Sequence, residues 1–492
     1  MQFGAVLSGV TPGKREKLGI RQVTVAARCA EQVTQGQTRW STLPQIMMRG
    51  PAFFEALADS ILAGEAGPEA IAARLENTLG HNWRWIKPLV RRYLKAFGEQ
   101  TRQRRKAVVR FLRRDDGIAR ALRLYPSQVR IAEWIGEPYR MQPVLAARVW
   151  LVPAIESIGA LAERLHIAAG ELGWFADLRR DLARLSSDNY AGPLSHYHYR
   201  ILAKEGGAVR LIEAPKQRLK QIQKQILAEI LEKIPVHPAV HGFRRGRSIK
   251  TFATPHVGQR VVLRMDLRDF FPSISAPRVQ AVFRTAGYPE RVANLLGGLC
   301  TNAAPRALWQ EKGSTLDPLR MADARQLYAW PHLPQGAPSS PALANICAYR
   351  VDCRLTGLAE ACGAVYTRYA DDLAFSGDET FERGVERFAI HAAAILVEEG
   401  FTVQHRKTRV MRQGVRQYVA GVVANQRLNV PRPDYDRLKA ILTNCIHLGP
   451  GSQNREARPD FRAHLQGRVS FVEMINARRG ARLRSLFEQI RW

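Results

Sequence analysis

The chain has 492 residues, of which 46% are hydrophobic and 8% aromatic; that make-up belongs to a folded protein of two or three domains and excludes disorder as the default state. Its 74 Lys and Arg outnumber 44 Asp and Glu, and the formal charge of +30 points to a polyanionic partner. Nucleic acid fits better than a membrane, because no apolar run reaches spanning length and the basic residues are spread throughout.

Met1 to Ala5 offer neither a charged n-region nor a long apolar run, so no signal peptide is expected. Gly9 to Arg15 looks like a phosphate loop, but its glycine spacing is one short and no Ser or Thr follows Lys14. The cysteines (Cys29, Cys300, Cys347, Cys353, Cys362, Cys445) lack Cys-x-x-Cys spacing and a zinc-type His pair; reduced thiols in a cytoplasmic protein are expected. From about Ala26 to Leu185 the pattern is helical, as in Pro51 to Leu62 and Pro68 to Leu75, each with Pro near a helix start and apolar residues at three- and four-residue steps. Between Arg91 and Arg123 the basic density rises. A basic helix is often only a solvated face, but the net charge tips this one toward nucleic-acid contact. Trp83, Trp85 and Tyr93 read as core rather than a base-stacking platform. The composition changes near Ser186 to Asn189, a domain boundary.

From His196 the pattern is mixed. His196 to Arg200 alternates as a strand does, and with no third ligand near, His196 and His198 read as strand residues rather than a metal site. Gly206-Gly207 turns into Val209 to Pro215, a hairpin whose second strand carries Arg210. A basic amphipathic helix is expected over Lys216 to Ile234. His241 to Ser248 is a Gly- and Arg-rich loop whose Arg244, Arg245 and Arg247 suit phosphates, although such loops are common on ordinary surfaces.

Val261 to Leu267 is a nearly continuous apolar strand with one acid, Asp266, at its end; a carboxylate there is costly to bury unless it is paired or bound to metal. An aromatic turn, Arg268 to Ile274, follows. Leu333 to Pro341 is a rigid turn with the single amide side chain of Gln335 at its apex, ahead of a helix over Ala342 to Leu358. Val365 to Ser376 then sets two β-rich runs around Asp371 and Asp372, a hairpin with acids at its tip. Adjacent carboxylates repel unless a cation lies between them, and Mg²⁺ is typically held by one or two carboxylates plus substrate phosphates. A solvated acidic turn would look the same on its own. With Asp266 on a neighbouring strand, however, three carboxylates can meet, which suits two divalent ions about 3.5–4 Å apart clamping a phosphoryl transfer. A helix (Phe381 to Glu399), a strand (Phe401 to Val403), the basic His405 to Thr408 and a hairpin (Tyr418 to Leu428) follow. The tail from Pro433 to Trp492 is helical and basic, with Arg478 and Arg482 near its end.

Across roughly residues 196 to 490 these segments, in this order, resemble the reverse transcriptase fold. The motifs are Arg210-x-Ile212-x-x-Pro215, Asp266-Leu-Arg-Asp-Phe-Phe271, Leu333-Pro-Gln-Gly-Ala-Pro-Ser-Ser-Pro341, Tyr369-Ala-Asp-Asp372 and Lys407-Thr408. The resemblance implies an α+β right-hand polymerase, with a helical N-terminal extension over 1–185, fingers and palm over 186–428 and a helical thumb over 429–492. It implies that Asp266, Asp371 and Asp372 hold two Mg²⁺ ions and that Lys407 stands near the leaving pyrophosphate. It also implies that Phe271 is an aromatic gate against ribose 2′-hydroxyls, and that Gln335 and Arg210 contact the incoming dNTP. Asp-Phe-Phe-Pro-Ser-Ile and the Leu333 to Pro341 wording are similar to bacterial retron enzymes. Two retron marks are altered: Asn-Ala-x-x-His stands as Phe252-Ala253-Thr254-Pro255-His256, and Val-Thr-Gly as Val419-Ala420-Gly421.

The expected function is an RNA-directed DNA polymerase that copies a structured non-coding RNA into branched, RNA-linked single-stranded DNA. The expected partners are that RNA, dNTPs, an RNA–DNA hybrid product and an unidentified effector, with no membrane and with antiphage defence as the role. Arg244, Arg245, Arg247, His256, Arg478 and Arg482 are expected to touch nucleic acid. The alternatives are a non-catalytic RNA-binding scaffold and an intron-type or phage-exclusion reverse transcriptase. Retention of the three acids with Gln335 and Lys407 argues against the scaffold, and no zinc-bearing endonuclease module is seen before Trp492.

Overall fold

The computed structural model describes residues 51–64, 66–98, 103–133, 141–178, 195–203, 209–311 and 317–492. The phosphate-loop look-alike at 9–15, Cys29, the boundary at 186–189 and the Gly206-Gly207 turn lie outside them.

Among the described residues five helices come first: α1 (Pro51–Leu62), α2 (Pro68–Leu79), α3 (Ile86–Phe97), α4 (Arg105–Arg113) and α5 (Asp116–Leu124). Pro68 sits in the first turn of α2, where its missing N–H costs nothing, and Gly80 ends that helix at φ 65°. Asp115 caps α5 by accepting from the Ile118 N–H. The apolar stripes meet in one core that includes Leu57, Leu75, Leu89, Tyr93 and Leu112. Fully buried Asp59 of α1 accepts from Arg105 at 2.5 Å and from Arg291 at 3.1 Å. Arg291 adjoins Val292 and Ala293 of the next core, so this charge pins the helical bundle to the rest of the chain.

A strap over 141–157, interrupted by a 3₁₀ turn at Leu145–Ala147, leads to α6 (Ile158–Arg164) and α7 (Ala169–Ala176). Their Leu161, Leu165 and Leu172 share a core with the central sheet. The core of the first five helices takes its residues from 53 to 131, whereas α6 and α7 pack with the sheet. Close packing explains it: a Cβ on Gly298 would lie 2.4 Å from the Ala176 carbonyl oxygen, so the backbone of α7 rests directly on the core helix beneath.

Next come the antiparallel pair β1 (Tyr197–Ala203) and β2 (Val209–Pro215), then α8 (Gln217–Glu229), which closes in a 3₁₀ turn at Leu231–Lys233, and α9 (Ile249–Ala253). The central strand β3 (Val261–Arg268) is followed by α10 (Ala276–Thr285), α11 (Glu290–Leu299), α12 (Arg306–Glu311) and α13 (Pro318–Tyr328). The helix expected over 342–358 is two helices, α14 (Ser340–Cys347) and α15 (Tyr349–Ala361). The break is stabilised by Arg278, whose guanidinium donates to the carbonyls of Cys347 and Glu399 at 2.9 and 2.8 Å. Then follow β4 (Val365–Tyr369), β5 (Asp372–Gly377), α16 (Glu379–Glu398), β6 (Thr402–Val403), β7 (Arg409–Arg412), the small hairpin β8 (Tyr418–Val419) and β9 (Val422–Val423), and the closing helices α17 (Arg432–Leu448), α18 (Phe461–Ile475) and α19 (Ala477–Glu488).

The main sheet runs β4-β5-β3-β6, with β7 also paired to β3, all antiparallel. Strand alternation decides what its two faces carry. Leu263, Met265, Leu267, Leu373 and Phe375 enter the main core, together with Phe388 of α16. Val262 and Ala374, on the other face, join a second core with Phe252, Val419 and the closing helices. Asp266, two residues past Arg264, therefore lies on the side away from the main core. Among the described residues no helix is long and apolar enough to cross a membrane.

Candidate active site

Tyr369 pairs with Asp372, so only Ala370 and Asp371 form the turn between β4 and β5. Ala370 is left-handed at φ 57°, a conformation an alanine keeps only when its surroundings impose it. Three contacts do so. The Arg368 guanidinium donates to the Ala370 carbonyl at 3.1 Å, and the Leu267 N–H donates to the Asp371 carbonyl at 2.9 Å. Gly242 presses on the turn so closely that a Cβ there would stand 2.6 Å from the Ala370 nitrogen. Arg368 itself is fully buried, with two 2.7 Å bonds to Asp352, one to the Asn345 side chain at 3.1 Å, and the Phe270 ring 5.7 Å away.

Asp266 stands directly opposite Asp372 across β3 and β5. The three acids of the expected triad are therefore neighbours, as the spacing of the motifs requires. Their charges are compensated unequally. Lys407 donates to both oxygens of Asp266 at 3.1 Å, and Arg264 donates to one oxygen of Asp372 at 2.6 and 2.9 Å. Asp371 makes no ion pair with a described side chain; burial first, then the charges of Asp266 and Asp372, push its pKa upward. Burial also raises that of Asp372, with Arg264 pulling the other way. Among the described residues no three carboxylate, imidazole or thiol groups stand at ligating distance as the side chains lie. The donors are hard oxygens on neighbouring strand and turn positions, and Asp371, with no ion-pair partner among the described side chains, is the charge a divalent cation would neutralise. The residues fit such an ion once Asp266 is turned from Lys407.

Beyond the acids, Phe271 is half-buried, with the Phe270 ring 5.7 Å and the Phe243 ring 6.1 Å away. Phe243, in the Gly-Arg loop, also approaches Tyr369 at 6.4 Å, so the loop lies beside the acidic hairpin. Arg210 is exposed on β2. Gln335 is half-buried, and its carbonyl accepts from the Glu213 N–H at 2.8 Å, which ties the Leu333 to Pro341 turn to β2. Underneath, buried Glu213 accepts from Asn302 at 2.8 Å and faces Nε2 of His332 at 2.8 Å, while Nδ1 of His332 faces the Trp330 carbonyl at 2.7 Å. A carboxylate and a carbonyl can only accept, so both ring nitrogens carry protons. Burial opposes that charge, but Glu213 and the Trp330 carbonyl outweigh it, and the pKa of His332 is raised.

A raised imidazole pKa contributes stability that is fully present below the unfolded value of about 6.5 and is lost as pH rises through the folded value. We therefore expect the urea midpoint of the wild type to exceed that of His332→Gln by the widest margin below about pH 6.5, and the margin to narrow at higher pH. A margin that does not change with pH would refute the ionised pair.

The expected nucleic-acid residues divide. Arg245, Arg247, Arg478 and Arg482 are exposed and Arg244 is half-buried. His256 is corrected: it is fully buried, its Nε2 2.7 Å from Thr367 Oγ1 and its Nδ1 2.6 Å from Ser376 Oγ. The Thr367 hydroxyl donates to the Phe252 carbonyl, so it accepts from Nε2–H. Burial, with a smaller push from His241, lowers the pKa of His256 to about 3, and the neutral ring braces β4 and β5 rather than meeting a ligand. Phe252, where the retron pattern has Asn, is buried beside it. Arg264 is a site residue the sequence reading missed; its one signal was a position two residues before Asp266 on the same strand face.

A family profile described as "Reverse transcriptase (RNA-dependent DNA polymerase)" matches residues 202–430. The chain is similar to the retron Mx65 reverse transcriptase of Myxococcus xanthus, at 44% identity over 58% of this chain and 63% of that protein. It is also similar to the retron Mx162 reverse transcriptase of Myxococcus xanthus, at 34% identity over 71% of this chain and 70% of that one. A third relative, the retron Ec86 reverse transcriptase of Escherichia coli, is 31% identical over 58% of this chain and 79% of its own length. The first match thus spans a little under two thirds of that relative.

Proposed function

Since this chain belongs to the retron-type reverse transcriptases, we propose that it is an RNA-directed DNA polymerase that copies a structured non-coding RNA into single-stranded DNA joined to that RNA through a 2′ linkage. The observation that carries this reading is the register of Asp266 against Asp372, with Asp371 clamped in the adjoining turn. An effector protein and a defence role belong to it by family analogy.

Reverse transcriptases work with divalent metal, and in our reading Asp266, Asp371 and Asp372 would hold two Mg²⁺ ions. Such ions, when bound, supply positive charge to the attacking primer oxygen and the leaving pyrophosphate. The chain's own residues do the rest. Lys407, 56% exposed at its side chain, covers Asp266 and is free to turn toward the departing phosphates. Arg264 keeps Asp372 oriented. Arg210 and Gln335 meet the incoming dNTP from the β2 side, held together by the Glu213 and His332 network. Arg244, Arg245, Arg247, Arg478 and Arg482 hold the nucleic-acid backbone.

Phe271 closes the sugar pocket. Removing its ring in Phe271→Ala should lower the preference for dNTP over rNTP, read as the ratio of the two kcat/KM values, by at least about tenfold, or about 1.4 kcal/mol. An unaltered ratio would remove Phe271 from this role. The overall reading is tested by sequencing nucleic acid that copurifies with the protein and assaying the RNA–DNA junction: a 2′ linkage is expected, and free DNA primed from a 3′ end would contradict the retron assignment.

A further inference from the structure

Sequence positions 86 to 130 carry fourteen Lys or Arg against three Asp or Glu, and the acidic motifs use none of them. The structure sorts these charges. Asp115 is buried and spent on Arg92 at 2.7 Å. Arg105 turns inward to Asp59. The remaining cations of α3 and α4 form two outward stripes: Lys87, Arg91 and Lys95 at four-residue steps on α3, and Lys106, Arg110 and Arg113 on α4. All six are exposed. Arg113 lies 5.9 Å from the Phe54 ring, and none of the six forms an ion pair with a described residue.

A face that concentrates positive charge without acids of its own repels itself and weakens the fold that carries it, unless a polyanion covers it. Steps of four residues place the charges about 6 Å apart along a helix, close to the separation of successive phosphates on one strand. Among the described residues α1 to α4 expose no large apolar side chain. That lack counts against a bilayer, which needs an apolar face to enter, and against a protein partner, which needs apolar anchors at the centre of its interface. Asp59, held by Arg105 within the bundle and by Arg291 of α11, fixes this face relative to the sheet that carries the acids.

We propose that the outward faces of α3 and α4 are a second RNA-binding surface, separate from the active site, which grips the phosphate backbone of double-helical parts of the structured RNA. The choice of RNA rests on the proposed function; the recognition of phosphate rests on the two stripes alone.

The test uses the full chain with Arg91→Gln, Lys95→Gln, Lys106→Gln and Arg110→Gln combined, and a companion in which the same four positions exchange Arg for Lys and Lys for Arg. The probe is an unprimed RNA duplex of about 20 base pairs, its affinity followed against salt. Four lost phosphate contacts should flatten the slope of log K against log salt by about 3.6 and weaken binding at least about tenfold at 0.15 M salt. The charge-preserving companion should bind as the wild type does, and the glutamine variant should extend a pre-annealed primer at saturating template with unchanged kcat. An undiminished slope in the glutamine variant overturns the proposal. So does an undiminished slope with loss of a copurifying protein, which would assign the face to a protein partner. Because binding is read without synthesis, failure here is distinct from failure of the polymerase reading, which would appear as absent extension by the wild type.

Discussion

Asp371→Asn should reduce single-turnover dNTP incorporation by about a thousandfold and at the same time raise the protein's melting temperature. The first effect follows from the loss of the carboxylate in the β4–β5 turn, between Asp266 and Asp372: transition-state charge stabilisation at such a site is worth several kcal/mol, and about 4 kcal/mol is about a thousandfold in rate. The second follows from the sign of its pKa shift. Burial and the charges of Asp266 and Asp372 raise the pKa of Asp371 in the folded chain. An acid whose folded pKa is raised destabilises the fold at neutral pH, where it must be ionised. Asn keeps the shape and removes that penalty. Stopped-flow extension of an annealed DNA primer on an RNA template, with a thermal melt of the same samples without metal, reads both. Near-normal incorporation would exclude Asp371 from catalysis, and a lowered melting temperature would mean that the turn is held by contacts other than those seen.

This trade of stability for function marks where the sequence could be read and where it could not. Asp266 was legible because an acid ending an apolar strand contradicts its surroundings, and Asp371 with Asp372 because two acids sit between β-rich runs. Strand alternation and motif order then sufficed to bring β3 against β5. Arg264 was hidden by its own strand: one basic residue in an apolar run reads as an edge. The His332 and Glu213 pair, 119 residues apart, left no local trace. His256 was misread because a motif carried over from relatives says what stands at a position but not which way it faces; with Phe252 in place of Asn, the element became packing. The packing of α6 and α7 against the sheet was invisible for a similar reason, since they have ordinary helical patterns and only their partners distinguish them.

The same blindness to distant partners applies to Arg368, whose sequence neighbours give no sign of its burial. Arg368→Met should destabilise the chain by about 3–5 kcal/mol, because it leaves the Asp352 carboxylate in the interior with only the Tyr366 hydroxyl, at 2.8 Å, and no cation. Combining it with Asp352→Leu removes the stranded charge, and an apolar pair of similar volume recovers most of that loss. Catalysis should not recover with it. The Arg368 guanidinium also donates to the Ala370 carbonyl and so holds the left-handed turn that presents Asp371; Met has no N–H with which to do this. The double variant should therefore unfold in urea near the wild-type midpoint yet incorporate dNTP at least about tenfold more slowly. Recovery of both stability and rate would mean that Gly242 and the Leu267 N–H hold the turn alone. A single variant as stable as the wild type would show that the pair with Asp352 contributes nothing net to folding. Either result would break the link between the buried Arg368 and the placement of the acid above it.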